Sequence, residues 1–244
     1  MENTTYVGVS GQISISRRLE TIAHNMANVN TPGFRAEALK FATLASPMAE
    51  TNGAQTSFVT VGKSYISTER GSITQSGNPL DVAIKGDAYL ALQTPAGIVY
   101  SRDGRMQITP EGGLVSVMGY PVLDSGGAPL QLDVQNGMPT IGADGSISQQ
   151  GKLVGALGLF QFQPSSALRY GPNSSLIPDR EPMPIVDDPQ FGVMQGYVEG
   201  SNVNGVVEMT RLIDVSRAFE RVEALLRGQE ETQRKSLETL GQTR

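Results

Sequence analysis

Two stripes of apolar residues, one toward each end of this 244-residue chain, limit its possible folds more than anything between them. On the N-terminal side Leu19, Ile22, Met26 and Val29 fall at spacings of 3, 4 and 3. On the C-terminal side Leu212, Val215, Phe219, Val222 and Leu226 fall at 3, 4, 3 and 4. A spacing that averages about 3.5 lines these side chains up along one narrow strip of a helix, and only another helix can bury such a strip. Tyr6, Val9 and Ile13 open the first stripe at similar spacing before the register slips. The expectation is two terminal helices, from about Tyr6 to Val29 and from about Ser201 to Leu240, that pair as a coiled-coil-like inner domain. A chain with a sticky helix at each end and a compact body between them is built as an assembly subunit.

The body reads differently. The run Asn28-Val29-Asn30-Thr31-Pro32-Gly33 stops the first helix, because Pro and Gly both terminate helices and Asn tolerates left-handed backbone. Residues 36–60 show no clear period, and 36–70 are expected as an extended connector. Short strands follow. Leu80-Asp81-Val82-Ala83-Ile84-Lys85 alternates as a half-buried strand should, and Gly86-Asp87 turns it into Tyr89-Leu90-Ala91-Leu92. Further breaks at Asp103-Gly104, Gly112-Gly113, Gly126-Gly127 and Asp144-Gly145 separate more apolar runs, and Asp-Gly between such runs is a strong hairpin signal. Six prolines between residues 163 and 190 are too many for ordinary ladder pairing, so that stretch is expected as an irregular surface excursion. Ser201 to Asn204 offers caps for the free N–H groups that open the last helix. The fold class is therefore α+β: a mainly antiparallel β domain over 71–199, flanked by helical segments at 1–35 and 200–244.

Charge and composition exclude several functions. Residues 41–202 carry eight basic and fourteen acidic residues, a net of −6, which is a poor match for nucleic acid or anionic lipid. Cysteine is absent, so neither disulfides nor thiolate metal sites arise. No cleavable secretory signal is expected, because no apolar run of the right length follows Met1 to Thr5. No stretch approaches the ~18–20 apolar residues of a membrane-spanning helix, so no membrane insertion is expected.

Catalytic readings find little support. His24 is the single histidine, which leaves no His-based triad and no multi-His metal site. Asp81, Asp87, Asp103 and Asp144 sit where turn chemistry favours Asp, and nothing pairs two of them for hydrolysis. Asp187-Asp188 reads as a solvated acidic loop, and no glycine pattern fits a phosphate cradle. Neither cofactor nor metal is expected.

One string stands out: His24-Asn25-Met26-Ala27-Asn28-Val29-Asn30-Thr31-Pro32-Gly33-Phe34-Arg35. Three Asn within six residues ahead of a Pro-Gly turn suit a frayed helix end, or amides that bond neighbouring chains in an assembly. Together with Ser201-Asn202-Val203-Asn204 and Arg217-Ala218-Phe219-Glu220, this string resembles the paired terminal motifs of the flagellar axial proteins, the rod and hook family. The central strings Gly77 to Asp87 and Tyr100-Ser101-Arg102-Asp103-Gly104 are similar to that family's middle block. The opening words Asn3 to Gly8 and Glu199-Gly200-Ser201-Asn202 most resemble its proximal-rod members, with distal-rod and hook members as near alternatives. The sequence departs from the common pattern at Pro32 and Gly205.

The resemblance implies a structural subunit of the basal-body rod, with no catalysis. It would assemble with other rod proteins and copies of itself into a helical, torque-transmitting tube in the periplasm. Export would run through the flagellar type III apparatus without signal cleavage. The implied subunit interface takes in Leu19, Ile22, Asn25, Met26, Asn28 and Asn30 on one side, and Ser201, Asn202, Asn204, Leu212, Val215, Phe219, Val222 and Leu226 on the other. Thr31, Pro32 and Gly33 would form the hinge. A secreted β-rich hydrolase or a coiled-coil binding module are the readings from other classes. Truncation separates them, since a rod subunit without its termini would keep a folded body but lose assembly.

Overall fold

The computed structural model describes residues 2–45, 57–164, 166–186 and 188–241. In chain order its elements begin with α1 (Glu2–Ala27), β1 (Glu37–Ala45), β2 (Ser57–Ile66), β3 (Ile73–Gln75), β4 (Val82–Lys85) and β5 (Tyr89–Thr94). They continue with β6 (Gly97–Ser101), β7 (Met106–Ile108), β8 (Leu114–Ser116), β9 (Thr140–Ile141), β10 (Ser146–Gln149) and β11 (Lys152–Ala156). Next come β12 (Leu159–Gln161), β13 (Leu168–Tyr170), β14 (Leu176–Pro178), β15 (Met183–Pro184), β16 (Gly192–Gln195), β17 (Tyr197–Glu199) and α2 (Gly205–Gly241). Two compact units result: Met1–Ala27, Glu37–Tyr65 and Asn204–Arg244 form the first, and Asn28–Ala36 with Ile66–Val203 the second. The class is α+β with antiparallel pairing throughout the named strands of the second unit.

In the first unit α1 and α2 lie antiparallel. Gly8 meets α2 so closely that a Cβ there would stand 2.6 Å from Leu226 Cδ2. At the other end Ile22 and Asn25 line one groove with Glu208 and Arg211. The α2 stripe faces inward: Val215 is buried, and Leu212, Phe219, Val222 and Leu226 are half-buried. In α1, Ile22 is buried and Leu19 and Met26 half-buried, whereas Val9 and Ile13 are exposed. The upstream register therefore differs from the expected one. With Gly8 at the closest approach to α2, the larger side chains at 9 and 13 fall on the outer side of α1. Val29 lies beyond α1, in the turn that follows it.

Within the segment expected as a connector, Glu37–Ala45 and Ser57–Ile66 pair as a two-stranded sheet of β1 and β2, and the residues between them lie outside the described ones. The signal was present in Phe58-Val59-Thr60-Val61, an aromatic and β-branched run of the kind that fits a pleated surface.

The second unit is built around a six-stranded sheet in the order β13-β14-β6-β5-β12-β15, with a three-stranded sheet β11-β10-β9 and the pairs β16-β4, β17-β3 and β7-β8. Strand β5 is buried on both faces. Leu90 and Leu92 enter a large core with Val82, Ile84, Val99, Leu114, Val122 and Ile147. Tyr89 and Ala91 point the other way, into a cluster with Ile66, Tyr100, Leu123, Phe160 and Leu176. Strand β4 likewise buries Val82, Ala83 and Ile84 in succession, so the half-buried strand expected there is covered on both sides.

The proline-rich stretch also differs from expectation, because it supplies three strands of the main sheet. The two prolines inside those strands stand where a missing N–H costs nothing to the ladder. Pro184 is on the edge strand β15, and Pro178 lies at the end of β14, beyond Leu176, the one β14 residue paired to β6.

Leu90 is fully buried and Leu153 is 74% exposed. Leu90→Ala should therefore lower unfolding free energy by about 2–5 kcal/mol, while Leu153→Ala should leave it within about 0.5 kcal/mol. Urea denaturation of both variants checks the contrast, and equal effects would contradict this core assignment.

Candidate functional site

The second unit closes around a carboxylate. Glu199, the last residue of β17, is 1% exposed and faces two equally buried arginines, Arg35 and Arg102. Arg102 Nε donates to Glu199 Oε2 at 2.7 Å, and its Nη2 lies 2.6 Å from the same oxygen. The remaining donors of Arg102 point at main-chain carbonyls: Nη2 to Ile84 at 2.8 Å, Nη1 to Gly86 at 3.0 Å and Ala88 at 2.7 Å. The guanidinium thus fills a ring of acceptors made by the turn from β4 to β5, and it also sits 5.6 Å over the Tyr89 ring. Glu199 Oε1 takes the other arginine, with Arg35 Nη2 at 2.9 Å, and accepts the Gly71 N–H at 3.1 Å.

The two arginines are held unequally. The Arg35–Glu199 contact is an ion pair without hydrogen-bond alignment, and Arg35 Nε, Nη1 and Nη2 have no hydrogen-bond acceptor among the described residues. Burial, and after it the charge of Arg102, pull the Arg35 guanidinium below its ordinary pKa. Burial also raises Tyr89, whose ring lies against this cluster.

The main chain is fastened at the same place. Gly33 N donates to Glu199 O at 2.8 Å, Asn202 N to Phe34 O at 3.3 Å, and Ser67 N to Ala36 O at 2.8 Å. Asn202 adds its side chain, accepting from Ala36 N at 2.6 Å and donating to Glu69 O at 2.9 Å. Gly33 has φ +70°, and a Cβ on it would stand 2.3 Å from Asp103 N. Both facts require glycine there. The residues expected as a hinge, Thr31, Pro32 and Gly33, are thus packed into the second unit, with Thr31 Oγ1 donating to Asn28 Oδ1 at 3.1 Å. Helix α1 ends at Ala27, ahead of them.

The other predicted interface residues divide between the units. In the first, Asn25 is 3% exposed and bonds the main chain of Glu37 in both directions, Nδ2 to O and N to Oδ1, each at 2.9 Å. Asn204 caps α2, accepting from Val206 N at 3.1 Å and Val207 N at 3.2 Å. In the second unit, Ser201 Oγ accepts from Val203 N, Asn28 Oδ1 also receives Ser174 Oγ, and Asn30 is exposed. Asn25, Asn28, Asn202 and Asn204 therefore all bond within their own chain.

Of the aspartates at turns, Asp81 accepts from Asn78, Asp103 from Arg105 and Asp144 from Ser146, whereas Asp87 Oδ1 is buried without a hydrogen-bond partner among the described residues. Asp188 accepts from Gln190 N, and Asp187 lies outside the described residues. Sequence reading missed the roles of Arg35, Arg102 and Glu199, although all three stand inside the quoted motif strings. The available signal was their setting, charged residues flanked by Gly, Phe or Ser beside apolar strands.

Comparison with known proteins adds the family context. Three family models match in chain order: "Flagella basal body rod protein" over residues 6–35, "Flagellar hook protein FlgE/F/G D1 domain" over 83–154, and "Flagellar basal body rod FlgEFG protein C-terminal" over 194–239. Arg35, Arg102 and Glu199 fall one in each. Among curated proteins, the chain is 49% identical over 242 residues to the flagellar basal-body rod protein FlgF of Mesorhizobium japonicum, covering 99% of both chains. It is 44% identical over 244 residues to FlgF of Rhizobium meliloti, covering 100% of both. It is 30% identical to the flagellar basal-body rod protein FlgG of Bacillus subtilis, covering 90% of this chain and 92% of that one.

The unequal bonding of the two arginines ranks their substitutions. Arg102→Met strips every acceptor in its ring of a donor and should cost about 3–5 kcal/mol, whereas Arg35→Met removes one ion pair and should cost clearly less. Thermal unfolding of the two variants tests the order. A larger loss from Arg35→Met would show that the cluster is held chiefly from the N-terminal side.

Proposed function

The chain belongs to the flagellar basal-body rod protein family and is a structural, non-enzymatic subunit of the bacterial flagellar rod, and from that membership we propose how it builds the rod. Helices α1 and α2 form a coiled-coil-like inner element, and copies of this element pack side by side with those of neighbouring rod subunits to make the tube. The β-rich second unit forms the outer layer. The helices within residues 1–35 and 200–244 contribute the inner domain, and the chain leaves α1 after Ala27 and passes through Thr31-Pro32-Gly33 inside the β-rich unit.

The observation that carries this reading is the α2 stripe. Leu212, Val215, Phe219, Val222 and Leu226 all face inward from the same side of one helix, which joins Leu19, Ile22 and Met26 in a unit of its own. Charge supports the layering. The first unit holds eleven basic and eleven acidic residues, the second eight basic and thirteen acidic. Balanced helices can crowd around an axis without mutual repulsion, while a net −5 body is better placed apart from its copies.

Relatives named FlgF run from 31% to 49% identical and those named FlgG from 30% to 32%, and the upper end of the FlgF range favours the proximal segment of the rod. Export through the flagellar type III apparatus, without cleavage, and a periplasmic location follow from the same reading. Among the described residues no helix is long and apolar enough to cross a membrane.

Phe219→Asp tests the proposal. A carboxylate set into the shielded stripe without a partner costs several kcal/mol, so the variant should express with a folded β unit yet fail to enter basal bodies or restore swimming to a strain lacking the protein. Normal swimming at wild-type expression would overturn the role given to the stripe.

A further inference from the structure

Within the second unit, the hairpin of β13 and β14 straps down the Asn28–Ala36 segment. The Tyr170 ring stacks on Phe34 with centroids 5.5 Å apart and planes 3° from parallel. Its hydroxyl donates to the carbonyl of Arg35, and Ser174 Oγ lies 3.3 Å from Asn28 Oδ1. The strap is held in a costly shape: Asn173 at φ 53° and Ser174 at φ 58° are consecutive non-glycine residues in the left-handed region, where strain persists only if the surroundings enforce it. The hairpin lies between the stretches 83–154 and 194–239 that the family models match, while the segment it holds belongs to the 6–35 match.

Arg35 shows why such a strap is needed. Its guanidinium is fixed by a single ion pair and finds no hydrogen-bond acceptor among the described residues. Residue 35 is therefore located largely through its main chain, which Tyr170 grips at the Arg35 carbonyl while Asn202 accepts the N–H of the same peptide unit at Ala36. We propose that Tyr170 is a positioning residue for rod assembly. It fixes Phe34 and Arg35 where the segment leaves the second unit for Glu37. Tyr170 is half-buried on the outermost strand of its sheet, so its loss should release the segment without dissolving the core. This inference rests on the assembly reading above.

The test compares Tyr170→Ala and Tyr170→Phe in the full-length protein, with amide hydrogen exchange and swimming as readouts. Tyr170→Ala should lose about tenfold protection at the amides of Gly33, Phe34 and Ala36 while the β5 amides keep theirs, and swimming should fall. Tyr170→Phe, which keeps the ring stack but not the hydroxyl, should recover part of both. Unchanged protection in Tyr170→Ala would overturn the proposal, as would an equal loss across β5 in either variant, since Tyr170 would then be an ordinary core residue. Full swimming despite lost protection would overturn its link to assembly. Failure of the assembly reading shows itself separately, as normal swimming by Phe219→Asp.

Discussion

A single carboxylate between two buried guanidinium groups organises the second unit. Glu199 brings together Arg35 and Arg102, one residue from each of three segments far apart in the chain. Its main-chain carbonyl receives Gly33 in the same step. Burying three charges is unfavourable unless they satisfy one another, and a hydrophobic trio of equal volume is often as stable. What the ionic version adds is registry, because Arg102 fits only where the carbonyls of Ile84, Gly86 and Ala88 converge. Strands β3, β4, β6 and β17 and the incoming N-terminal segment are all placed with reference to that point.

The glycines around the cluster follow from it. Gly33 against Asp103, Gly71 against Gly200 and Gly104 against Val82 each bring backbone onto backbone, at separations where a Cβ would overlap a main-chain atom. A ring of donors and acceptors this tight leaves no room for side chains at its approaches. Pro32-Gly33 and Asp103-Gly104, which read as turn signals, are thus also close-packing requirements.

Much of the architecture was legible because its causes are local. The spacing of Leu212 to Leu226 depends on helix geometry alone, and those residues all face inward from α2. The cap at Asn204 and the antiparallel hairpin that Asp144-Gly145 makes between β9 and β10 likewise follow from neighbouring residues, whereas the turns at Gly86 and Gly104 join strands that do not pair with each other. What stayed illegible has distant causes. Strands β13 to β15 break no rule, yet whether a proline disrupts a ladder depends on which side of the strand is paired, and sequence does not state that. The outward turn of Val9 and Ile13 depends on Gly8 meeting Leu226. Arg35, Arg102 and Glu199 carry no periodic signature at all, so their meeting could be read only from three dimensions.

The fastening of Ala36 by Asn202 spans 166 residues, and that span has a consequence for synthesis. The first strands of the body leave the ribosome long before their closing residue exists. Glu199 and Asn202 come in the last fifth of the chain, so the buried site around Arg102 stays open while most of the body is translated. Ladders with short loops, such as β5 with β6, can form early, but closing the long loop carries an entropic cost that only the final residues can offset. The nascent protein therefore passes most of its synthesis as an unlatched chain, and becomes a finished body only as its last helix begins to emerge.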